Sequence, residues 1–200
     1  IHFAHGMTTP VFGWGDPDMT DKNSEYFPGR WWPPEGPEVF MKQVPLKEKY
    51  SYIYYDPRFR LPLYETVFHD SIITTHHWQY HSLKFKDQIE TLELLELLYS
   101  VPPIYHLNLK EFEKHRDRIL KHYRFFSNLH KKTALLSMSD FFYLTEDRVM
   151  QKTVFSDNKL KNKIEIIANF YNSARTYDNI TIPAYSVCVR FNETEDIYKP

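Results

Sequence analysis

Between Asp87 and Tyr99 the chain reads DQIETLELLELLY, with Ile89, Leu92, Leu95 and Leu98 three apart and Glu90, Glu93 and Glu96 between them. That spacing gathers the aliphatic positions into one stripe and predicts an amphipathic helix, with the glutamates on its solvated side and Pro102-Pro103 as the stop. Asn108, followed three residues later by Glu111, resembles a capping box and starts a second helix through about Asn128, whose Phe112, Ile119, Tyr123 and Phe126 share a face. Upstream, Leu61 to Phe68 (LPLYETVF) is short, apolar and β-branched, bounded by Pro57 and by the polar pair His69-Asp70. It predicts a largely buried strand with a polar cluster at its end.

After Leu135 the period changes from three or four to two. The segments LSMSDFFYLT, RVMQKTVF, KIEIIANF and ITIPAYSVCVRF predict four strands of an antiparallel module, with Ser156-Asp157-Asn158 turning between the second and third. Residues 1 to 60 show no sustained period; FGWGDPDMTD, FPGRWWPPEGPE and YYDPRF follow one another as long ordered loops, too aromatic for a flexible linker. The division expected is therefore 1–134 (loops, strand and helices) and 135–200 (the β module), with no internal repeat. In class terms this is α/β plus all-β.

Composition narrows the function classes. The 200 residues are 42% hydrophobic and 17% aromatic, enough for a sizeable core, and the formal net charge of -1 argues against nucleic acid or an anionic membrane as the main partner. No apolar run approaches the roughly 20 residues that span a bilayer, and no leader pattern is visible. The chain opens at Ile1 without an initiator Met, which suggests a piece of something longer. Cys188 is the lone cysteine, so it is expected to be a buried structural thiol rather than part of a disulfide or thiolate cage. Asn179-Ile-Thr and Asn192-Glu-Thr match glycosylation sequons but decide nothing about compartment.

Two constellations carry candidate chemistry. His69, Asp70, His76, His77 and Trp78 crowd together after the expected strand, supplying donors, acceptors and an aromatic face suited to a ligand mouth. His77 and His81 share a face if helical, and with His69 or Asp70 would make three zinc ligands; the β-branched run Ile72 to Thr75 weighs against a helix there, so no metal or other cofactor is expected. In the N-terminal loops Asp16, Asp18, Glu35 and Glu38 interleave with Trp14, Trp31 and Trp32. Such a surface suits sugars, whose C–H faces pack on rings while carboxylates accept from hydroxyls, and glycoside cleavage commonly uses two carboxyl groups. The plainer alternative is that the tryptophans plug the loops into the core and the carboxylates cap turns.

The segment RLPLYETVFHDSIITTHHW resembles the PL(Y/F)-x-x-V-(Y/F)-H-D stretch, followed by Thr-x-x-Trp, near the last barrel strand of glycoside hydrolases related to the α-N-acetylgalactosaminidase families 101 and 129. DRVMQKTVFSD and KIEIIANFYN are similar to β-domain strands that follow such barrels. The resemblance covers roughly residues 1 to 172. It implies the C-terminal portion of a (β/α)8 barrel followed by an antiparallel β-sandwich-like module, with the remainder of a larger chain upstream. IHFAHG resembles a barrel-strand end where relatives carry an acid in a Ser-Glu-x-Gly-like arrangement; Ala4 stands in the place of that Glu.

The expectation is thus a glycosidase, or a fragment of one, that cleaves oligosaccharides or glycoconjugates with acid assistance, in a secreted, periplasmic or cell-surface setting. Asp16 and Asp18 are its catalytic candidates; His69, Asp70, His76, His77, Trp78, Trp14 and Trp31 are its sugar contacts. The rivals are a non-catalytic carbohydrate-binding module and a metal-dependent hydrolase built on the histidine cluster.

Overall fold

A computed structural model describes residues 41, 43, 45, 55–75, 81–157, 163–192 and 194–200. A 3-10 turn, Pro57–Phe59, leads to helix α1 (Leu63–Phe68), then α2 (Ile89–Tyr99) and α3 (Leu109–Thr133). Seven strands follow: β1 (Ser137–Tyr143), β2 (Met150–Ser156), β3 (Lys163–Asn169), β4 (Arg175–Tyr177), β5 (Ile180–Ile182), β6 (Ser186–Phe191) and β7 (Thr194–Tyr198). β1, β2, β3, β6 and β7 form, in that order, a five-stranded sheet, antiparallel at every pairing, and β4 with β5 makes a separate hairpin. No helix among the described residues is long and apolar enough to cross a membrane.

Period-two alternation sorts the sheet's side chains. Ile164, Ile166 and Ala168 of β3 and Val187 and Val189 of β6 face the helices, joining Leu92, Leu94, Leu95, Leu97, Leu98 and Tyr99 of α2 and Phe126 and Leu129 of α3 in one core. Ile167 and Cys188 point the other way and are closed over by Ile180 and Ile182 of the hairpin. The sheet is therefore covered on one face by helices and on the other by two short strands. The expected fourth strand breaks at Pro183 into β5 and β6, while β4 and β7 had no separate prediction.

Two expectations are corrected. Leu61 to Phe68 is not a strand: α1 begins just after Pro62, with Thr66 N–H donating to Pro62 O (2.9 Å) and His69 N–H to Glu65 O (3.1 Å). The reason is an i,i+4 pairing hidden in an apolar run. The Tyr64 and Phe68 rings meet, tilted, at 4.8 Å, and Leu63 and Val67 share the exposed side, 70% and 64% accessible. The second correction concerns α2, whose residues Leu92 to Tyr99 are all buried, Glu93 and Glu96 included; of the three glutamates only Glu90 is solvated. The helix lies between the sheet and α3, so it has no wet side over those two turns.

The start of α3 follows the sequence signal, as the Asn108 side chain accepts from Glu111 N–H at 2.8 Å. α2 ends at Ser100, a non-glycine residue in the left-handed region (φ 55°), whose N–H reaches Glu96 O and Leu97 O before Pro102 and Pro103 bar further helix.

Candidate functional site

Because α1 rather than a strand precedes them, His69 and Asp70 leave the backbone from a helix C-terminus and diverge. The His69 ring turns inward, 7% exposed, where its Nδ1 lies 2.8 Å from Leu136 O and its face packs at 4.6 Å on Phe155. The Ser100 backbone also hydrogen-bonds the imidazole. Asp70 turns outward, and its two carboxylate oxygens accept from Ser71 Oγ (2.7 Å) and Ser137 Oγ (2.6 Å). Those two hydroxyls hold the Asp70 carboxyl below its ordinary range. Asp70 is thus a fixed, ionised acceptor on the surface, while the His69 ring is engaged by the backbone of Leu136 and Ser100.

Ser100 gathers more than His69. Its hydroxyl lies 3.2 Å from His130 Nδ1 and 2.6 Å from Thr133 Oγ1, so the left-handed turn that ends α2 ties α1, α2 and α3 together. Burial is the main force lowering the His69 and His130 pKa values below 6.5, opposed at both rings by the Ser100 backbone. A depressed histidine favours the neutral ring in the fold, so its stabilisation is complete above the unfolded value near 6.5 and is lost as pH falls through the folded value. Burial raises Glu93 with the opposite sign, its contribution being present below 4.5 and lost as pH rises through its folded value. Between pH about 7.5 and about 5 the urea midpoint is expected to drop further on acidification in the wild type than in His130→Gln, both carrying the same opposing Glu93 contribution; an identical pH response in the two proteins would refute the assignment.

A buried carboxyl–imidazole cluster occupies the α2–α3 interface. Glu96 Oε1 accepts from Ser82 Oγ at 2.5 Å, and its Oε2 lies 3.5 Å from His122 Nδ1, both side chains being fully buried. Tyr105 OH approaches the same Nδ1 at 3.1 Å. Glu93 accepts from Arg118 NH1 (3.2 Å) and from Tyr198 OH (2.8 Å). Desolvation raises Glu93, against the pull of His122 and Arg118, and it raises the Tyr105 and Tyr198 phenols as well. The sequence reading missed this cluster. The available signal was His122 itself, three residues after Ile119 and four before Phe126, on the apolar face of α3.

Asp16, Asp18, Trp14, Trp31, His76, His77 and Trp78 lie outside the described residues. Among the described residues no group of three or more His, Cys, Asp or Glu is arranged to hold a metal ion. Cys188 is free and buried, with burial pushing its thiol up to about 11, the condition of an unreactive structural cysteine.

The family model for glycosyl hydrolases related to GH101, GH129, matches residues 1–154. The chain belongs to this family. No curated protein matches it. For this glycosyl hydrolase chain the family match takes in the N-terminal residues outside the described ones, α1 to α3, β1 and β2 as far as Val154, and so covers every sugar-contact and catalytic candidate named from the sequence. Strands β3 to β7 lie beyond it.

Proposed function

We propose that the chain acts on glycosidic bonds of oligosaccharides or glycoconjugates by acid-assisted cleavage, as the C-terminal portion of a barrel glycosidase with its β module attached. The family match over residues 1–154 carries this reading. In the proposed site Asp16 or Asp18 supplies a carboxyl group that assists cleavage through an oxocarbenium-like transition state. Asp70, held open-faced by Ser71 and Ser137, accepts from sugar hydroxyls. Trp14, Trp31 and Trp78 offer rings, and His76 and His77 offer further donors. His69 serves the site indirectly, by fixing the turn that presents Asp70.

Release of p-nitrophenol from p-nitrophenyl α-glycosides by the purified chain tests the proposal. Turnover is expected, with Asp16→Asn or Asp18→Asn lowering kcat at least about a hundredfold, the scale of a lost general acid or base. Turnover at the level of the blank, or equal turnover in both variants, overturns it. Ala4, in the place where the resemblance calls for an acid, favours a second reading in which the chain binds sugar without cleaving it. Saturable glycoside binding without turnover would establish that alternative.

A further inference from the structure

The concave surface of the described residues lies away from Asp70. A cleft of about 270 Å³ opens between the 3-10 turn, the start of α2 and the loop after β5, and a second of about 310 Å³ adjoins it, with Thr91 and Tyr185 lining both. Each is close to the size at which small-ligand clefts begin.

Its charge is balanced. Among the described residues Asp56, Asp87 and Glu90 line it together with Arg58, Lys86 and Arg118, three acids against three bases, so these side chains add no net charge that would favour an anion or a cation. What it presents is dense, oriented hydrogen bonding. Asp56 accepts from Arg58 through its backbone N–H, Nε and NH2, which locks the guanidinium plane. Beside it stand the neutral side chains of Gln88 and Thr91.

The cleft also holds a ring on a rigid mount. Tyr185 is 36% exposed and sits at φ 45°, a conformation unusual for a side chain of its size. Its N–H donates to Tyr171 O (3.0 Å). The loop that carries it is stitched to β3 by the fully buried Asn169, whose Nδ2 reaches Ser173 O, Ile182 O and Pro183 O within 3.1 Å, and Ser186 Oγ binds Pro183 O at 2.7 Å. With its backbone held in this way, the loop loses little main-chain freedom when the ring is covered.

We infer that this cleft is a sugar-binding subsite, taking a neutral pyranose whose C–H face covers Tyr185 while Arg58, Gln88 and Thr91 bond its hydroxyls. The inference rests on the glycosidase reading for its ligand class. It adds a contact site built partly from the β module, on residues distinct from those proposed for catalysis.

The test is a titration of the full chain with the methyl α-glycosides of galactose, N-acetylgalactosamine and glucose, followed by amide chemical shifts, with inorganic phosphate as the anionic control. One glycoside is expected to shift the Gln88, Thr91 and Tyr185 amides saturably. Tyr185→Gly, which suits the positive φ and so preserves the loop, should weaken binding at least about fivefold, and Tyr185→Phe should retain it. Shifts confined to other regions, phosphate shifting the same amides as strongly as any glycoside, or wild-type affinity in Tyr185→Gly would each overturn the subsite. The p-nitrophenyl assay is a separate readout: a chain that shifts these amides but shows no turnover loses the catalytic reading and keeps the subsite, and the converse result does the reverse.

Discussion

Replacing His122 by alanine will cost about 3–5 kcal/mol of folding stability, the loss typical of removing one partner from a fully buried polar pair. Glu96 and His122 are both fully buried and 3.5 Å apart, with Glu93 in the same cluster. Alanine leaves two carboxyl groups under the same roof with Arg118 as the remaining basic partner shown, and it also removes the contact at Tyr105 OH. Because His122 Nε2 is buried without a hydrogen-bond partner among the described residues, the imidazole is a costly way to fill this space. The apolar exchange Glu96→Leu with His122→Leu is therefore expected to recover most of the loss. Urea unfolding of the two single variants and the double measures the coupling. Purely additive costs would show that the cluster is packing alone.

Phe155→Ala is the second large effect, about 3–5 kcal/mol for emptying a fully buried aromatic site. Phe155 is wholly inaccessible, pairs with Met138 across β1–β2 and with Ile164 across β2–β3, and carries the His69 ring at 4.6 Å. The cavity would open beneath α1, so the damage has a reporter beyond stability. Burial is the largest cause of the lowered His69 pKa, and that pKa should climb back toward 6.5 in the variant. The His69 ring protons followed by NMR, with thermal unfolding, check both outcomes. Leu135→Ala, at an 87% exposed position, should change stability by no more than about 0.5 kcal/mol. Equal costs at the two positions would contradict the packing described.

The helices α2 and α3 and the strands β1, β2, β3 and β6 were legible in the sequence because each shows its own period over enough residues, whereas the rim strand β7 was not. Proline and asparagine punctuation also placed the end of α2 and the start of α3 within a residue or two. α1 was not legible, since a six-residue segment with four apolar positions fits either period and only the Tyr64–Phe68 contact separates them. The reading of Glu93 and Glu96 failed for a different reason. Periodicity reports which face of a helix is greasier, and it says nothing about what covers the other face; here α3 brings Arg118 and His122 over it. The same limit explains the histidines. His69 was singled out for its neighbours in the chain, while His122, isolated in sequence, is the one that meets carboxyl groups in space. Tyr185 gave no signal at all, because its prominence comes from a positive φ in a loop held by contacts to Asn169 and Tyr171, distant in the chain.

The strand order leaves β1 and β7 at the two rims of the sheet, each with one side unpaired by any other strand described. Such rims are templates on which a foreign strand can grow, and both are defended. β1 breaks register between Met138 and Asp140 and points the exposed Asp140 outward, so an incoming strand meets a kink and a charge. β7 carries Glu195 and Asp196 in succession, both exposed, so two copies brought rim to rim would set acid against acid. In a sheet this apolar on both faces, the outermost described strands thus set a kink and like charges where a recruit would dock.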